Sequence, residues 1–173
     1  MTPDDYAELD AVGLSQAIRR GDVSAGEVTE VAIGLIEQLN PSLNAVVMTN
    51  FDNARGVAAS DLPHTPIAGV PFLLKDANQF SHDMPTTFSC RFFADAKPKP
   101  DSAMVTRWRD AGLVILGKTN TPEFAEDFVC EPTFRGVTLN PWNASLTTGG
   151  SSGGAGAAVA AGIVPMAHAS DIG

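Results

Sequence analysis

The sequence predicts an α/β protein with a parallel layer structure and helices on both faces of the sheet, and three observations carry that expectation. Stretches of helical and strand-like periodicity alternate along the 173 residues. With 44% hydrophobic and 18% charged residues, the chain is apolar enough to bury one core. Its last quarter runs from a Gly-Ser loop into an Ala-rich helix, a strand and a Gly-containing end, the order expected of a strand–loop–helix unit.

The first helix is expected from Ala11 to Arg20, because Gly21 stands just past it as a C-terminal breaker. Ser24 and Glu27 form a capping box, and Val28, Val31, Ala32, Leu35, Ile36 and Leu39 then recur at helical spacing until Asn40-Pro41 stops the run. These helices are expected to pack as a pair over 11–40. Leu43 to Met48 reads as a short strand, Phe51 to Ser60 as a helix, and Val70-Pro-Phe-Leu-Leu-Lys75 as an apolar strand opening after a turn. Residues 81–100, broken by prolines and poor in periodic apolar side chains, read as a long irregular loop. Asp101 should then cap a helix that carries Met104, Val105 and Trp108 and ends at Gly112. Leu113-Val-Ile-Leu116 is a compact buried strand, Pro122 to Phe128 a short helix and Pro132 to Thr148 a second loop. A tightly packed helix is expected from Gly154, followed by a strand from Ile163 to Ala167. No repeat or linker divides the chain, so all 173 residues are expected to lie in one domain.

Composition excludes several partners. Acidic residues outnumber basic ones 20 to 11, a net charge of -9, so the average field repels a phosphate backbone or an anionic membrane surface. The segment Met1–Asp10 has neither a positive n-region nor an apolar run, and no stretch has the length of a membrane span. The expectation is a cytoplasmic protein with no nucleic-acid or membrane partner. Cys90 and Cys130 are not arranged as C-x-x-C and read as free, buried thiols. His64, His82 and His168 share no metal-ligand spacing with them or with one another, so no metal or cofactor is expected; His168 stands near the Gly-Ser segment. Trp108 and Trp142 read as packing aromatics.

The Gly-rich loop before the last helix invites a phosphate-binding reading. A Walker loop needs Lys-Ser or Lys-Thr after its last Gly, and Gly154 is followed by Ala155. A dinucleotide fingerprint starting at Gly154 would put Val159 where its third Gly belongs. A flexible linker is equally ill-suited, since the segment leads straight into an Ala-rich helix.

The run Gly149-Gly-Ser-Ser-Gly-Gly-Ala-Gly156, with Ser170-Asp-Ile-Gly173, resembles the Gly-Ser core of the amidase signature family. Gly69-Val-Pro-Phe-Leu-Leu-Lys-Asp76 resembles that family's lysine strand, Gly117-Lys-Thr-Asn-Thr-Pro-Glu-Phe124 its central strand-to-helix motif, and Asn140-Pro-Trp-Asn143 the turn leading into the core. The resemblance implies an amidase-signature-type fold, a mixed, mostly parallel sheet flanked by helices, here truncated to the first third of a hydrolase of linear or cyclic amides.

It also implies roles. Lys75 would be the base, which requires a neutral amine, and the apolar run before it supplies the desolvation that lowers a lysine pKa. Ser151 would bridge Lys75 and the nucleophile from a cis peptide bond. Ser152 would be a supporting or capping residue and Asp171 a support within its own turn. The nucleophilic serine is expected 24 residues after Ser151, at position 175, while the backbone N–H groups of Ile172 and Gly173 would line the oxyanion hole.

Three functions follow. The intact parent would be a hydrolase of small-molecule amides, with a hint of a cyclic-oligoamide hydrolase branch in Pro122-Glu123 and Ala167-His168 and a homodimer as its expected assembly. The glutaminase-like component of a glutamyl-tRNA amidotransferase shares the Lys-Ser-Ser machinery, but Thr121-Pro-Glu-Phe124 departs from the Met-Asp-Glu-Phe expected there. The third is a non-catalytic truncated form lacking the nucleophile.

Overall fold

In the computed structural model, which describes residues 1–171, six helices and three strands alternate as α1 (Pro3–Ala7), α2 (Ala11–Arg20), α3 (Ala25–Leu43), β1 (Val46–Thr49), α4 (Phe51–Ala58), β2 (Pro71–Lys75), α5 (Ala103–Asp110), β3 (Val114–Thr119) and α6 (Gly153–Ala160). Helix α1 has its own signal: Thr2 accepts from the Asp5 N–H while the Asp5 carboxylate accepts from the Thr2 N–H. The same box forms between Ser24 and Glu27. Helix α3 does not stop at Pro41 but runs through it to Leu43, ending on Asn44 in the left-handed region. A proline near a helix end forfeits a single hydrogen bond, and the Asn40 side chain both donates to and accepts from Val46, fastening the exit into β1. The nearest helix neighbours of α3 are α4 and α1 rather than α2.

The sheet order is β1-β3-β2, with β1 antiparallel and β2 parallel to β3. Among the described residues the sheet is therefore mixed, with one antiparallel and one parallel pair and a further parallel bridge on the outer edge of β2. Every residue of β2 and β3 is buried, as expected of strands covered on both faces. β3 runs three residues past Leu116 because Lys118 and Thr119 find polar partners inside. Gly69, at φ 79°, turns the chain into β2, and its N–H donates to Gly112 O at 2.8 Å, which aligns the starts of β2 and β3. The expected strand over 163–167 shrinks to one parallel bridge between Leu73 and Ala167. Asp101 does not cap α5; its carboxylate instead accepts from the His82 N–H and from Arg109 Nε. The expected helix over 122–128 is a single 3-10 turn at Glu123–Ala125, in which Phe124 has φ 55°.

Helix α6 begins one residue before Gly154 and packs on β2 and β3. Its first two glycines are there for contact: a Cβ at Gly153 would stand 2.4 Å from Cys130 Cβ, and one at Gly154 2.5 Å from Asn120 N and 2.7 Å from Ala45 O. Gly154→Ala is therefore expected to destabilise the protein by about 3 kcal/mol, the upper end of overpacking costs, which a lowered urea midpoint at unchanged slope would register. Beyond α6, Ile163 and Val164 are fully buried, and Tyr6 donates its hydroxyl to Ile163 O at 3.1 Å, tying the two ends of the chain together.

Candidate active site

Lys75 closes β2, and the strand's burial carries its side chain inward to 0% exposure. Its Nζ donates to Ser151 Oγ at 2.7 Å, Ser152 Oγ at 3.0 Å and Ser170 Oγ at 3.1 Å, with Ser170 O at 3.4 Å. Burial pulls the Lys75 pKa below the ordinary lysine value, against the opposing influence of Cys130 and Asp171. Hydroxyl partners leave either protonation state hydrogen-bonded, because each hydroxyl can accept or donate.

Ser151 reaches Nζ from the loop before α6. The Gly150–Ser151 peptide is cis. The Thr121 hydroxyl donates to Ser151 O at 2.9 Å, which anchors the loop to the end of β3. Ser152 precedes α6 without capping it: its Oγ accepts from Ser170 N and donates to Ser170 O, both at 3.1 Å. Ser151, Ser152, Ala169, Ser170 and Asp171 line a surface cleft of about 340 Å³. A second cleft of about 240 Å³ meets it at Ser151 and Asp171 and is walled by residues 125–128. Asp171 is exposed at the junction. Of the residues singled out in the sequence, the structure thus brings Lys75, Ser151 and Ser152 into direct contact and puts Asp171 on the same cleft. Ile172 and Gly173 lie outside the described residues.

Two features escaped the sequence reading. Ser170 belonged to a quoted motif but had no role, and it supplies both a hydroxyl and a carbonyl to Nζ. Lys118 is a second fully buried lysine; its Nζ donates to Thr86 Oγ1 at 2.5 Å and Gln79 O at 3.3 Å and lies 4.0 Å from Asp76 Oδ1. Burial draws its pKa down to about 8, against Asp76 and Asp83. Asp76 in turn accepts from the Thr87 N–H at 2.9 Å and from the Thr87 hydroxyl, which orders the loop after β2. Among the described residues no three His, Cys, Asp or Glu side chains are grouped to hold a metal ion, and no helix is long and apolar enough to cross a membrane.

A buried lysine held by serine hydroxyls between a mixed sheet and a Gly-Ser loop defines a candidate hydrolytic centre, and comparison with known proteins gives its family. The amidase profile matches residues 27–173. The chain is 42% identical over 164 residues to a 6-aminohexanoate-cyclic-dimer hydrolase of Paenarthrobacter ureafaciens, covering 94% of this chain and 33% of that protein. It is 39% identical to a glutamyl-tRNA(Gln) amidotransferase subunit of Acidothermus cellulolyticus, over 98% of this chain and 35% of the relative. The solved structure of a 6-aminohexanoate cyclic dimer hydrolase complexed with substrate superposes with a TM-score of 0.88 at 41% identity, covering 94% of this chain and 34% of that one. The chain belongs to the amidase family, whose signature-type α/β fold it shares, and spans about a third of the length of the relatives it matches.

Proposed function

We propose that the full-length protein carrying this chain hydrolyses the carbon–nitrogen bond of small linear or cyclic amides, with residues 1–173 as the N-terminal part of a single amidase domain. The observation that carries this reading is the 2.7 Å contact between the fully buried Lys75 Nζ and Ser151 Oγ. A neutral Nζ takes the Ser151 proton as Ser151 Oγ takes one from the nucleophilic serine expected at position 175. That serine's oxygen then attacks the amide carbon, the Ile172 and Gly173 N–H groups receive the developing oxyanion, and the proton returns by the same relay to the leaving nitrogen. A second pass with water releases the acid. Ser152 and Ser170 hold Nζ on line, and Asp171 supports the turn beyond them.

The similarity to a cyclic-dimer hydrolase supports a small amide over a tRNA-linked substrate, as does the Thr121-Pro122 departure from the amidotransferase pattern. Full-length protein incubated separately with 6-aminohexanoate cyclic dimer, benzamide and glutamine is expected either to open the cyclic dimer, exposing a primary amine on the linear product, or to free ammonia from benzamide, with no partner protein present. Turnover of glutamine alone, and only with amidotransferase partner proteins added, would overturn the assignment.

A further inference from the structure

One buried side chain in contact with Lys75 that the hydrolytic relay leaves unused is His168. β2 stands at the end of the strand order β1-β3-β2. On its outer edge the returning chain makes one bridge, Ala167 to Leu73, with His168 N donating to Leu73 O at 2.8 Å. In a continued parallel ladder the next bond would join the Lys75 N–H to the backbone carbonyl of residue 168. The chain does not continue that way. The Lys75 N–H instead donates to His168 Nδ1 at 3.3 Å.

We propose that His168 is a positioning residue for Lys75: its imidazole replaces the backbone acceptor that a further strand would supply, and so frees residues 169–171 to turn back toward the lysine side chain. The inference rests on the reading of Lys75 as the base. A buried N–H left unpaired is costly, so something must accept from Lys75 where the ladder stops. With a side chain in that role, Ser170 is released from sheet geometry and brings its hydroxyl and carbonyl to Nζ and its N–H to Ser152. An accepting Nδ1 requires the neutral ring with its proton on Nε2. Burial holds the His168 pKa down to about 4, with Lys75 and Lys118 lowering it further whenever they are charged, so the ring is neutral at working pH. Its orientation is set from α5, where Trp108 stands 5.0 Å from the imidazole and 5.3 Å from Phe72.

Two substitutions in the full-length protein separate acceptor from packing. His168→Asn keeps an acceptor oxygen near the Nδ1 position, His168→Leu does not, and both lose the ring contact with Trp108. In His168→Leu the Lys75 amide is expected to exchange its hydrogen about tenfold faster, and kcat to fall roughly 10- to 100-fold with KM within about twofold, as a misaligned base predicts. His168→Asn is expected to keep most of the protection and of kcat. Equal losses in the two variants, unchanged protection in His168→Leu, or a loss confined to KM would each overturn the proposal. Lys75→Ala assayed beside them separates the two readings: wild-type turnover there overturns the base assignment itself, and this inference with it.

Discussion

Lys75→Arg in the full-length protein is expected to lower kcat/KM for a simple amide by roughly 10³-fold or more, about as much as Lys75→Ala. The two changes differ in what they remove. Ala deletes the base and leaves Ser151, Ser152 and Ser170 to bond one another, whereas Arg keeps a cation that cannot surrender its proton. Equal damage therefore means that the neutral amine, not the charge, is what catalysis needs. The pH dependence has a fixed sign. Because burial lowers the Lys75 pKa, the neutral form accumulates as pH rises through a value below the roughly 10.4 of a free lysine. The kcat/KM profile should climb through that point and flatten above it. A profile climbing only near the free-lysine value, or an Arg variant within about threefold of wild type, would remove Lys75 from the chemistry.

Ser151→Ala is the second large effect, an expected loss of roughly 10³-fold in kcat with stability changed by no more than about 1 kcal/mol. Ser151 is half-buried at a cleft wall, and Nζ keeps Ser152 and Ser170 after its loss, so the fold has little to lose. Ser152→Ala makes the comparison, because its hydroxyl also touches Nζ but is occupied on both sides by Ser170. A relay role confined to Ser151 requires its kcat to fall well below that of the Ser152 variant. Equal losses would mean that the serines act only as a cradle.

What the sequence made legible was whatever local pattern decides. The apolar run into Lys75 announced a buried strand, the Ser24–Glu27 box announced α3, and the Gly-Ser segment announced both the family and the loop. Less was legible where a distant segment decides. The run 163–167 has a strand's composition, but its ladder breaks when the His168 side chain takes over an acceptor's place. That Ser152 as well as Ser151 touches Nζ goes with the return of Ser170, whose backbone holds the Ser152 hydroxyl. Asp101 looked like a helix cap because its rivals for the carboxylate, His82 and Arg109, lie 19 and 8 residues away in opposite directions. Helix α1 had a readable box at Thr2 and Asp5, in a segment too short to show helical periodicity.

The sequence distance between Lys75 and Ser170, 95 residues, fixes when this centre can exist. A ribosome adding about 5–20 residues per second needs roughly 5–20 s to travel from one to the other. For the first 76 residues of that interval the Ser151 loop has not been made, and until its end the strap that follows α6 is incomplete, so the lysine lacks the groups that desolvate it. Its desolvation comes with closure from the C-terminal side, so the Lys75 side chain is buried only after α6 and the return through Ser170 have been made.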